Sequence, residues 1–291
     1  MKKIFVPILF IALAVSSVYV VREASVPNDL RVSFLDVGQG DAIFIQSPSG
    51  VQVLIDGGKD ASILEELHKV MPLFDRSIDV IVATHPDADH ISGLIDVVKK
   101  FYVGAFLESG AQNENGVQDA LERILAQKSI QRKIAKRGEV YNLGSGILLT
   151  VLYPYKDVSK EESNAGSLIM RLSYGEDSFL LTGDAPVSSE LVLVGTDSTH
   201  LQSSVLKFGH HGSDTSTSVS FLQNVRPLYG IVSAGKNNSY HHPHEDVLER
   251  AKRFNIQVLS TIELGTITFS TNGRGIKALN LPEDFQGEKS E

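Results

Sequence analysis

Length, composition and charge exclude several broad classes of protein for this 291-residue chain. Hydrophobic residues make up 42% of it and charged residues 21%, which excludes both a largely disordered chain and a polytopic membrane protein. The net charge of −8 gives no general basic surface for binding a polyanion. Because there is no cysteine, thiolate metal sites are excluded, and a bound metal would need His, Asp, Glu or Asn ligands.

An apolar run occupies residues 4–21, directly after Lys2 and Lys3. Its length is near the lower limit for crossing a bilayer, and the residues that follow lack a good small-x-small cleavage pattern. We expect residues 1–24 to form an uncleaved signal anchor, with a cleaved signal peptide as the alternative, and residues 25–30 to form a linker. The lysine pair favours a cytoplasmic N-terminus, which would place the remaining chain outside the cytoplasm, either membrane-anchored or secreted.

Short apolar strands separated by turns alternate with helices along the remaining chain. Strands are predicted at 31–37, 41–46, 51–55, 78–84, 147–153, 167–174, 178–182, 204–208, 228–233, 256–261, 265–270 and 274–279. Helices are predicted at 61–70, after His90, at 117–127, from Pro186, at 217–224 and at 243–254, with a polar loop at 108–116.

This alternation predicts an α/β protein in which two mixed sheets pack face to face with helices outside, an αββα sandwich. A single domain of this kind is expected to span residues 31–280. It is followed by a polar tail at 281–291, which we expect to be frayed.

Four of the predicted strands run directly into side chains that commonly bind metal ions. In chain order these are His85-Pro86-Asp87-Ala88-Asp89-His90, Asp184, His210-His211 and His241-His242-Pro243-His244. Ligands at the same ends of neighbouring strands can converge on one edge of a sandwich, where rigid strands fix their positions. The pattern therefore predicts a metal site at that edge.

The segment from His85 to His90 has the composition of a site for two ions. Residues two apart in a tight turn point the same way, so His85 and Asp87 are expected to bind one divalent ion, and Asp89 and His90 a second. Imidazoles and carboxylates suit Zn²⁺, Mn²⁺ and Fe²⁺ and do not distinguish them. The alternative is an exposed turn in which Asp89 caps the following helix, and the clusters after the other strands argue against it.

The same segment resembles the H-x-H-x-D-H metal motif of the metallo-β-lactamase superfamily, with Asp87 in place of the second His. This variant is similar to the soluble domain of the ComEC competence proteins. Further segments resemble motifs of that family and follow in its order, namely 34–42, 54–58, 164–168, 180–184, 206–213 and 242–248. The resemblance covers about residues 31–270.

The resemblance implies an αββα sandwich with two metal ions at one edge. Asp184 would bridge both ions, and His211, or alternatively His210, would complete the second site. The first site departs from the family pattern, since Asp87 replaces a His and Asn164, a weak neutral ligand, lies near the place of another. The additional carboxylate favours Mn²⁺, with Zn²⁺ as the alternative.

Five further polar residues near these motifs have two possible roles each. Asp56, Asp36 and Asp41 either support metal ligands through hydrogen bonds or belong to glycine-containing turns and hairpins. Lys207 either binds a phosphate of the substrate or provides the charge of an edge strand. Ser213 either lines the mouth of the site, where it would touch the substrate, or caps the next helix.

The remaining histidines differ in their expected roles. His244 either meets a phosphate oxygen or the leaving group at the start of a helix, or caps that helix. His241 and His242 are expected on the surface of a loop. His68 and His200 receive no functional role.

Two divalent ions that share a carboxylate lower the pKa of water and neutralise a substrate oxyanion, which suits hydrolysis of phosphodiesters, lactones or thioesters. The resemblance favours phosphodiesters, so we expect a phosphodiesterase that cleaves DNA outside the cytoplasm, with Asp89, Asp184 and His244 as catalytic residues. The main basic run, at 132–137, is interpreted as a solvated face rather than a DNA-binding strip.

Two alternatives stay open at this point. One is an esterase or phosphodiesterase acting on a small or cell-envelope substrate, such as phosphorylcholine on teichoic acid. The other is a non-catalytic accessory module of a DNA-uptake complex, in which Asn164 would mark a decayed site. The sequence indicates no obligate protein partner.

Overall fold

A computed structural model of the chain describes residues 27–279 and 281–282. The predicted signal anchor and the first two residues of the predicted linker lie outside the described residues, as does the predicted tail beyond residue 282. Within the described part, no helix combines the length and the apolar character that crossing a bilayer requires.

Fifteen strands are described, and they form two mixed sheets. In chain order they are β1 (Leu30–Phe34), β2 (Ile43–Gln46), β3 (Gln52–Ile55), β4 (Ser77–Ala83), β5 (Tyr102–Glu108), β6 (Gln131–Ile134), β7 (Val140–Asn142), β8 (Leu148–Tyr153), β9 (Ile169–Tyr174), β10 (Asp177–Leu181), β11 (Val205–Lys207), β12 (Tyr229–Val232), β13 (Gln257–Ser260), β14 (Ile267–Thr271) and β15 (Ile276–Leu279). The first sheet has the order β15-β14-β1-β2-β3-β4-β5-β6, and the second has the order β13-β12-β11-β10-β9-β8-β7.

Helices cover the outer faces of both sheets. They are α1 (Ser62–Val70), α2 (Ala88–Lys100), α3 (Gly116–Gln127), α4 (Val187–Asp197), α5 (Val219–Val225), α6 (Glu245–Arg253) and the short α7 (Thr261–Leu264). Apolar residues of α1, α2 and α3 pack on the first sheet, and those of α4, α5 and α6 pack on the second. The predicted αββα sandwich is therefore confirmed.

A third apolar cluster lies between the two sheets, and Phe269 of β14 is at its centre. Its ring lies 6.1 Å from that of Phe34 in the same sheet, and 6.0 Å from Phe179 and 5.3 Å from Tyr229 in the other sheet. These edge-to-face contacts join the two sheets. Leu281, the first residue of the predicted polar tail, is also buried in this cluster.

Parallel strands determine where functional side chains can meet. Strands β3 to β6 run parallel, as do β10 to β13, whereas the other neighbouring strands are antiparallel. The carboxyl ends of parallel neighbours lie at the same edge of a sheet, where the loops that follow them are brought together. Most of the predicted metal ligands lie in these loops or in the first turn of α2, whereas Asn164 follows β8, whose neighbours are antiparallel.

Three strands, β5, β6 and β7, were not predicted from the sequence. All four residues of β6 are exposed, so no apolar alternation marks that strand, and its parallel pairing with β5 defines it instead. Helix α2 also begins at Ala88, before the predicted start after His90, and so includes two of the candidate ligands.

The basic run at 132–137 lies at this exposed edge and is largely paired with acids. Arg132 contacts Glu108 and Glu122, Lys133 contacts Glu139, and Arg137 contacts Asp197. These contacts favour a solvated, charged edge strand over a strip that binds DNA.

Replacing Phe269 should destabilise the fold strongly, because its ring fills the space between the sheets. We expect Phe269→Ala to lower the free energy of unfolding by about 3–5 kcal/mol, measured by urea denaturation. Tyr102→Ala is the control: this side chain is 82% exposed, and its loss should cost less than about 0.5 kcal/mol. Equal stability of the two variants would contradict the assignment.

Candidate metal centre

The carboxylate of Asp184, which follows β10, lies at the centre of a histidine cluster. Its Oδ2 is 3.2 Å from Nε2 of His90 and 3.3 Å from Nε2 of His211. It is 3.9 Å from Nε2 of His85 and 3.8 Å from Nε2 of His210. Histidines from both sheets are thus brought together around one buried acid.

Two further carboxylates lie beside different histidines of this cluster. Oδ2 of Asp87 is 3.7 Å from Nε2 of His85, and Oδ2 of Asp89 is 3.3 Å from Nε2 of His211. Both carboxylates are partly exposed, whereas these imidazoles are buried. Asp87 thus lies beside His85 and Asp89 beside His211, whereas the ring of His90, which the sequence grouped with Asp89, lies 4.1 Å from that of His85 and 5.3 Å from that of His211.

The turn after β11 presents His210 and His211 in an unusual backbone conformation. Their φ angles are 49° and 57°, in the left-handed region, which costs about 1–3 kcal/mol for a residue other than glycine. The amide of His210 donates to the carbonyl of Gly183, which ties this turn to the loop that carries Asp184. Strain of this kind typically persists where a side chain is held for function.

Asp56, which follows β3, orients two of the histidines. Its Oδ2 accepts a hydrogen bond from Nδ1 of His90 at 2.8 Å and another from the hydroxyl of Thr84 at 2.6 Å. Because that hydroxyl donates to Asp56, it accepts from Nδ1 of His85, 3.0 Å away. Both imidazoles therefore carry a proton on Nδ1 and turn Nε2 towards Asp184, which favours the supporting role over the turn alternative for Asp56.

Asp41 and a backbone carbonyl orient the third histidine. Nδ1 of His211 lies 3.0 Å from the carbonyl of Ser233 and 3.2 Å from Oδ1 of Asp41. This carboxylate comes from the loop between β1 and β2, which is eight residues long and is not a tight hairpin. Gly40 has a φ of 119°, and a Cβ there would lie 2.0 Å from the carbonyl oxygen of Asp89. The glycine therefore lets the loop between β1 and β2 pass close to the backbone of Asp89.

The charges in the centre shift each other's pKa values. Burial lowers the pKa of His90 and His211, but the neighbouring carboxylates together outweigh burial and hold both pKa values well above the ordinary value. These carboxylates are Asp184 and Asp56 for His90, and Asp184 and Asp41 for His211. Burial would raise the pKa of Asp184, whereas the two imidazoles hold it well below its usual range. His85 differs, because burial and the charge of His90 both lower its pKa. A metal ion therefore competes with protons mainly at His90 and His211.

The donor atoms of the cluster fit a divalent cation. Nε2 of His85, His90 and His211, together with Oδ1 of Asp184, is buried and has no hydrogen-bond partner among the described residues. Buried polar atoms without partners are rare unless an ion or water satisfies them. Imidazole nitrogens and carboxylate oxygens are ligands for Zn²⁺ and Mn²⁺. Asp41, His90, Asp184 and His211 each offer such an atom, and these atoms lie within 4.8 Å of one another.

Asn164 lies in a short 3-10 turn, Asn164–Gly166, beside the loops of the centre. The following residues connect it to them, since the amide of Leu168 donates to Thr84 and the hydroxyl of Ser167 accepts from the amide of Asp184. Its side-chain oxygen is buried and, in the described structure, has no hydrogen-bond partner. Asn164 is therefore kept as a proposed neutral ligand.

Lys207 is placed in the interior, which corrects both of its predicted roles. It is fully buried in β11, an inner strand, and its Nζ lies 2.6 Å from Oδ2 of Asp41 and donates to the carbonyl of Phe208. It reaches neither a substrate phosphate nor a sheet edge. A buried charge requires a partner, so Lys207 neutralises Asp41, the acid that contacts His211.

The predicted catalytic role of His244 does not agree with its contacts. It precedes α6, where its Nδ1 accepts a hydrogen bond from the amide of Asp214 and its Nε2 donates to the carbonyl of Tyr240, both at 3.1 Å. Both ring nitrogens are occupied by backbone groups, and the ring makes no side-chain cap. His244 therefore fixes two loops together instead of meeting a leaving group.

Ser213 and Asp36 are turn residues. The hydroxyl of Ser213 lies 2.9 Å from that of Thr215 and accepts from the Thr215 amide, while the next helix, α5, is capped by Ser218. The predicted substrate contact and the predicted cap are thus both replaced by a local turn. The Asp36 carboxylate accepts from the amide of Gly38, which favours its turn alternative.

Two residues that the sequence did not assign to the site belong to it. His242, expected on the surface, is 7% exposed, and its ring packs against His210 and His211. Burial and the charge of His211 lower the pKa of His242 to about 4, so this ring is neutral. Asn113, in the predicted polar loop, donates to Oδ1 of Asp87 at 2.8 Å. No sequence pattern marks either contact.

Removing the acid that orients two histidines should weaken metal binding. We expect Asp56→Asn to lower the affinity for Mn²⁺ or Zn²⁺ by about 10- to 100-fold. Oδ2 of Asp56 accepts from His90 and from the Thr84 hydroxyl, and Oδ1 accepts from the Thr84 amide, so the amide nitrogen of an Asn would leave one side of this network without an acceptor. Competition with a coloured chelator measures the affinity. Asp36→Asn is the matched control and should bind as the wild type does; equal losses in both variants would contradict the assigned network.

Metal affinity should rise with pH. The pKa values of His90 and His211 are raised, so both are protonated at mildly acidic pH, and binding must release these protons. From about pH 6 upwards the apparent dissociation constant is expected to fall, until the pH passes the raised pKa values of the two histidines and proton release ceases. Calorimetry in buffers of different ionisation enthalpy counts these protons, and binding without proton release at pH 6 would refute the expected protonation.

The chain is similar in sequence to several bacterial proteins. It is 32% identical over 267 residues to ComE operon protein 3 of Bacillus subtilis, a match that covers 84% of this chain and 33% of that protein. It is 29% identical over 265 residues to Competence protein ComA of Neisseria gonorrhoeae, covering 89% of this chain and 35% of that protein. The chain spans about a third of the length of these relatives.

Solved structures share the fold. CmlA, a diiron β-hydroxylase from Streptomyces venezuelae, has a TM-score of 0.56 at 12% identity, covering 84% of this chain and 55% of that one. Igni18, a metallo hydrolase from Ignicoccus hospitalis, has a TM-score of 0.53 at 14% identity, covering 84% of this chain and 99% of that one. A sequence model of the metallo-β-lactamase superfamily matches residues 35–236, which is more than half of the chain. The chain therefore belongs to the metallo-β-lactamase superfamily.

Proposed function

We propose that this domain is a phosphodiesterase that cleaves DNA with two divalent ions, Mn²⁺ or Zn²⁺. The observation that carries the proposal is that Asp184 lies within 3.9 Å of histidines from two groups of donors, His85 with Asp87 and His211 with Asp89. A carboxylate shared between two ligand groups is the arrangement that holds a pair of ions.

The residues of the centre would perform separate tasks in hydrolysis. When bound, the ions lower the pKa of water and offset the charge of the phosphodiester. The buried histidines present their Nε2 lone pairs from the interior, whereas the side chains of Asp87 and Asp89 are 28% and 32% exposed. A substrate therefore approaches from the side of these two carboxylates. We assign catalytic roles to Asp89 and Asp184 and withdraw the one predicted for His244.

DNA is proposed as the substrate because of the relatives. Competence protein ComA and Recombination protein 2 of Haemophilus influenzae, 30% identical over 242 residues, carry names that refer to competence and recombination. The order of the N-terminal segment, lysines followed by the apolar run at 4–21, supports a placement outside the cytoplasm. There the domain would meet extracellular DNA.

A smaller phosphodiester is the second candidate, and the charge distribution favours it. The chain carries a net charge of −8, and most of the basic run at 132–137 is paired with acids. A long DNA duplex would find no extended basic strip at that edge. A small or cell-envelope phosphodiester needs only the metal centre.

The test is metal-dependent hydrolysis by the purified chain and by Asp184→Asn. We expect Mn²⁺ to support cleavage of plasmid and single-stranded DNA, and the substitution to lower the rate at least about 100-fold, since it removes the shared carboxylate. Asp96→Asn, on the outer part of α2 where it pairs with Lys99, is the matched control and should keep the wild-type rate.

Each other outcome selects a different function. Turnover of bis-p-nitrophenyl phosphate without cleavage of DNA would support the smaller substrate. Failure to bind Mn²⁺ or Zn²⁺ at micromolar concentration would overturn the hydrolase proposal and favour the accessory module. DNA cleavage that persists in Asp184→Asn would contradict the role assigned to Asp184 as the shared carboxylate.

A further inference from the structure

An exposed tyrosine stands next to the candidate metal centre. Tyr240 is 62% exposed, and its ring is stacked on that of His242, with centroids 5.6 Å apart and planes inclined by 23°. The ring of His242 in turn lies 5.5 Å from His210 and 6.2 Å from His211. The ring of His242 thus lies between Tyr240 and the histidines around Asp184.

The loop that carries Tyr240 is held in place by its own hydrogen bonds. The side-chain amide of Asn238 donates to the carbonyls of Gly235 and His242, at 2.9 and 2.7 Å, and its oxygen accepts from the amide of His242. Nε2 of His244 donates to the carbonyl of Tyr240. The aromatic ring is therefore presented in solvent by a pre-organised loop, which reduces the entropy that a ligand would lose on binding.

Two lysines lie near this loop, and neither has an ion partner among the described residues. Lys236 is exposed in the loop itself, directly after Gly235. The amide of Gly235 donates to the side chain of Gln39, and Lys59 extends beside the neighbouring Gly38. The absence of ion pairs at these two lysines in the described part of the chain contrasts with the basic run at 132–137, which is mostly paired with acids, although the charge of Lys59 also acts on the adjacent Asp60.

We propose that Tyr240 stacks on a base next to the scissile phosphate while Lys236 and Lys59 bind neighbouring phosphates, so that the domain selects single-stranded DNA. This inference rests on the proposed DNA phosphodiesterase function. One face of the Tyr240 ring is covered by His242, and the exposed remainder is free for a base. Aromatic stacking is tolerant of sequence, because every base has a π-face. In a duplex those faces are already stacked on neighbouring bases, so a duplex gains nothing from the ring.

The first test is binding of an oligodeoxynucleotide that contains one 2-aminopurine, a base whose fluorescence is quenched by stacking. Measurements in EDTA prevent cleavage, so the result does not depend on the proposed activity. We expect Tyr240→Ala to weaken binding about tenfold and to abolish the quenching, and Tyr240→Phe to keep both. Tyr102→Ala, an exposed tyrosine at the start of β5, is the matched control and should bind as the wild type does.

The second test separates charge and strand preference. Lys236→Ala is expected to reduce the slope of log affinity against log salt by about 0.7, the value for one phosphate contact in a single strand. With Mn²⁺, Tyr240→Ala should lower kcat/KM for the single strand about tenfold more than it lowers turnover of bis-p-nitrophenyl phosphate.

Several results would overturn the inference. They are unchanged oligonucleotide binding in Tyr240→Ala, an equal loss for single strand and duplex, and an equal loss in Tyr102→Ala. If the wild type binds and quenches the probe but cleaves no DNA with Mn²⁺, the nuclease proposal fails while the stacking surface stands. If it cleaves DNA but Tyr240→Ala cleaves it equally well, the nuclease proposal stands and the stacking surface fails.

Discussion

A buried carboxylate among imidazoles is the constraint on which this site depends. Asp184 is 2% exposed, and its Oδ1 and three histidine Nε2 atoms have no hydrogen-bond partners within the described chain. Each such atom costs about 1–3 kcal/mol when it is removed from water without a partner. Protons on His90 and His211 offset part of this cost by pairing with Asp184, and a bound cation would satisfy the same nitrogen atoms together with Nε2 of His85. Function, rather than stability, explains why these groups meet here.

The two sheets of the sandwich contribute to the centre together. Asp56 and the histidines after β4 come from the first sheet, whereas Asp184 and His211 come from the second. The ion pair of Lys207 with Asp41 connects the two behind the histidines, in a buried position where breaking one partner costs about 3–5 kcal/mol. The metal ligands therefore come together only when the two sheets pack correctly.

Patterns along the chain predicted the sandwich and the loops that carry the ligands, because apolar strands that end in His and Asp are visible locally. They failed where the answer depends on the order of strands in the sheet. The sequence around Lys207 is compatible with a charge on an edge strand, but β11 is an inner strand. Strand β6 has no apolar alternation, and only its pairing with β5 identifies it as a strand. His242 and His244 lie two residues apart, yet only the folded loops decide which one is buried. Asn113 orients Asp87 across 26 residues of sequence, a distance that no spacing rule covers.

The charge of the protein makes metal binding and substrate binding depend on each other. With a net charge of −8, and with Asp87 and Asp89 partly exposed at the centre, the site repels a phosphodiester unless cations are bound. Because the pKa values of His90 and His211 are raised, protons compete with the metal ions for these two side chains at low pH. These protons are on buried imidazoles, behind the carboxylates of Asp87 and Asp89. Divalent ions therefore strengthen the binding of the scissile phosphate at the centre, independently of contacts that a nucleic acid makes outside it. Because binding free energies are coupled reciprocally, a bound phosphodiester in turn strengthens the hold on the ions.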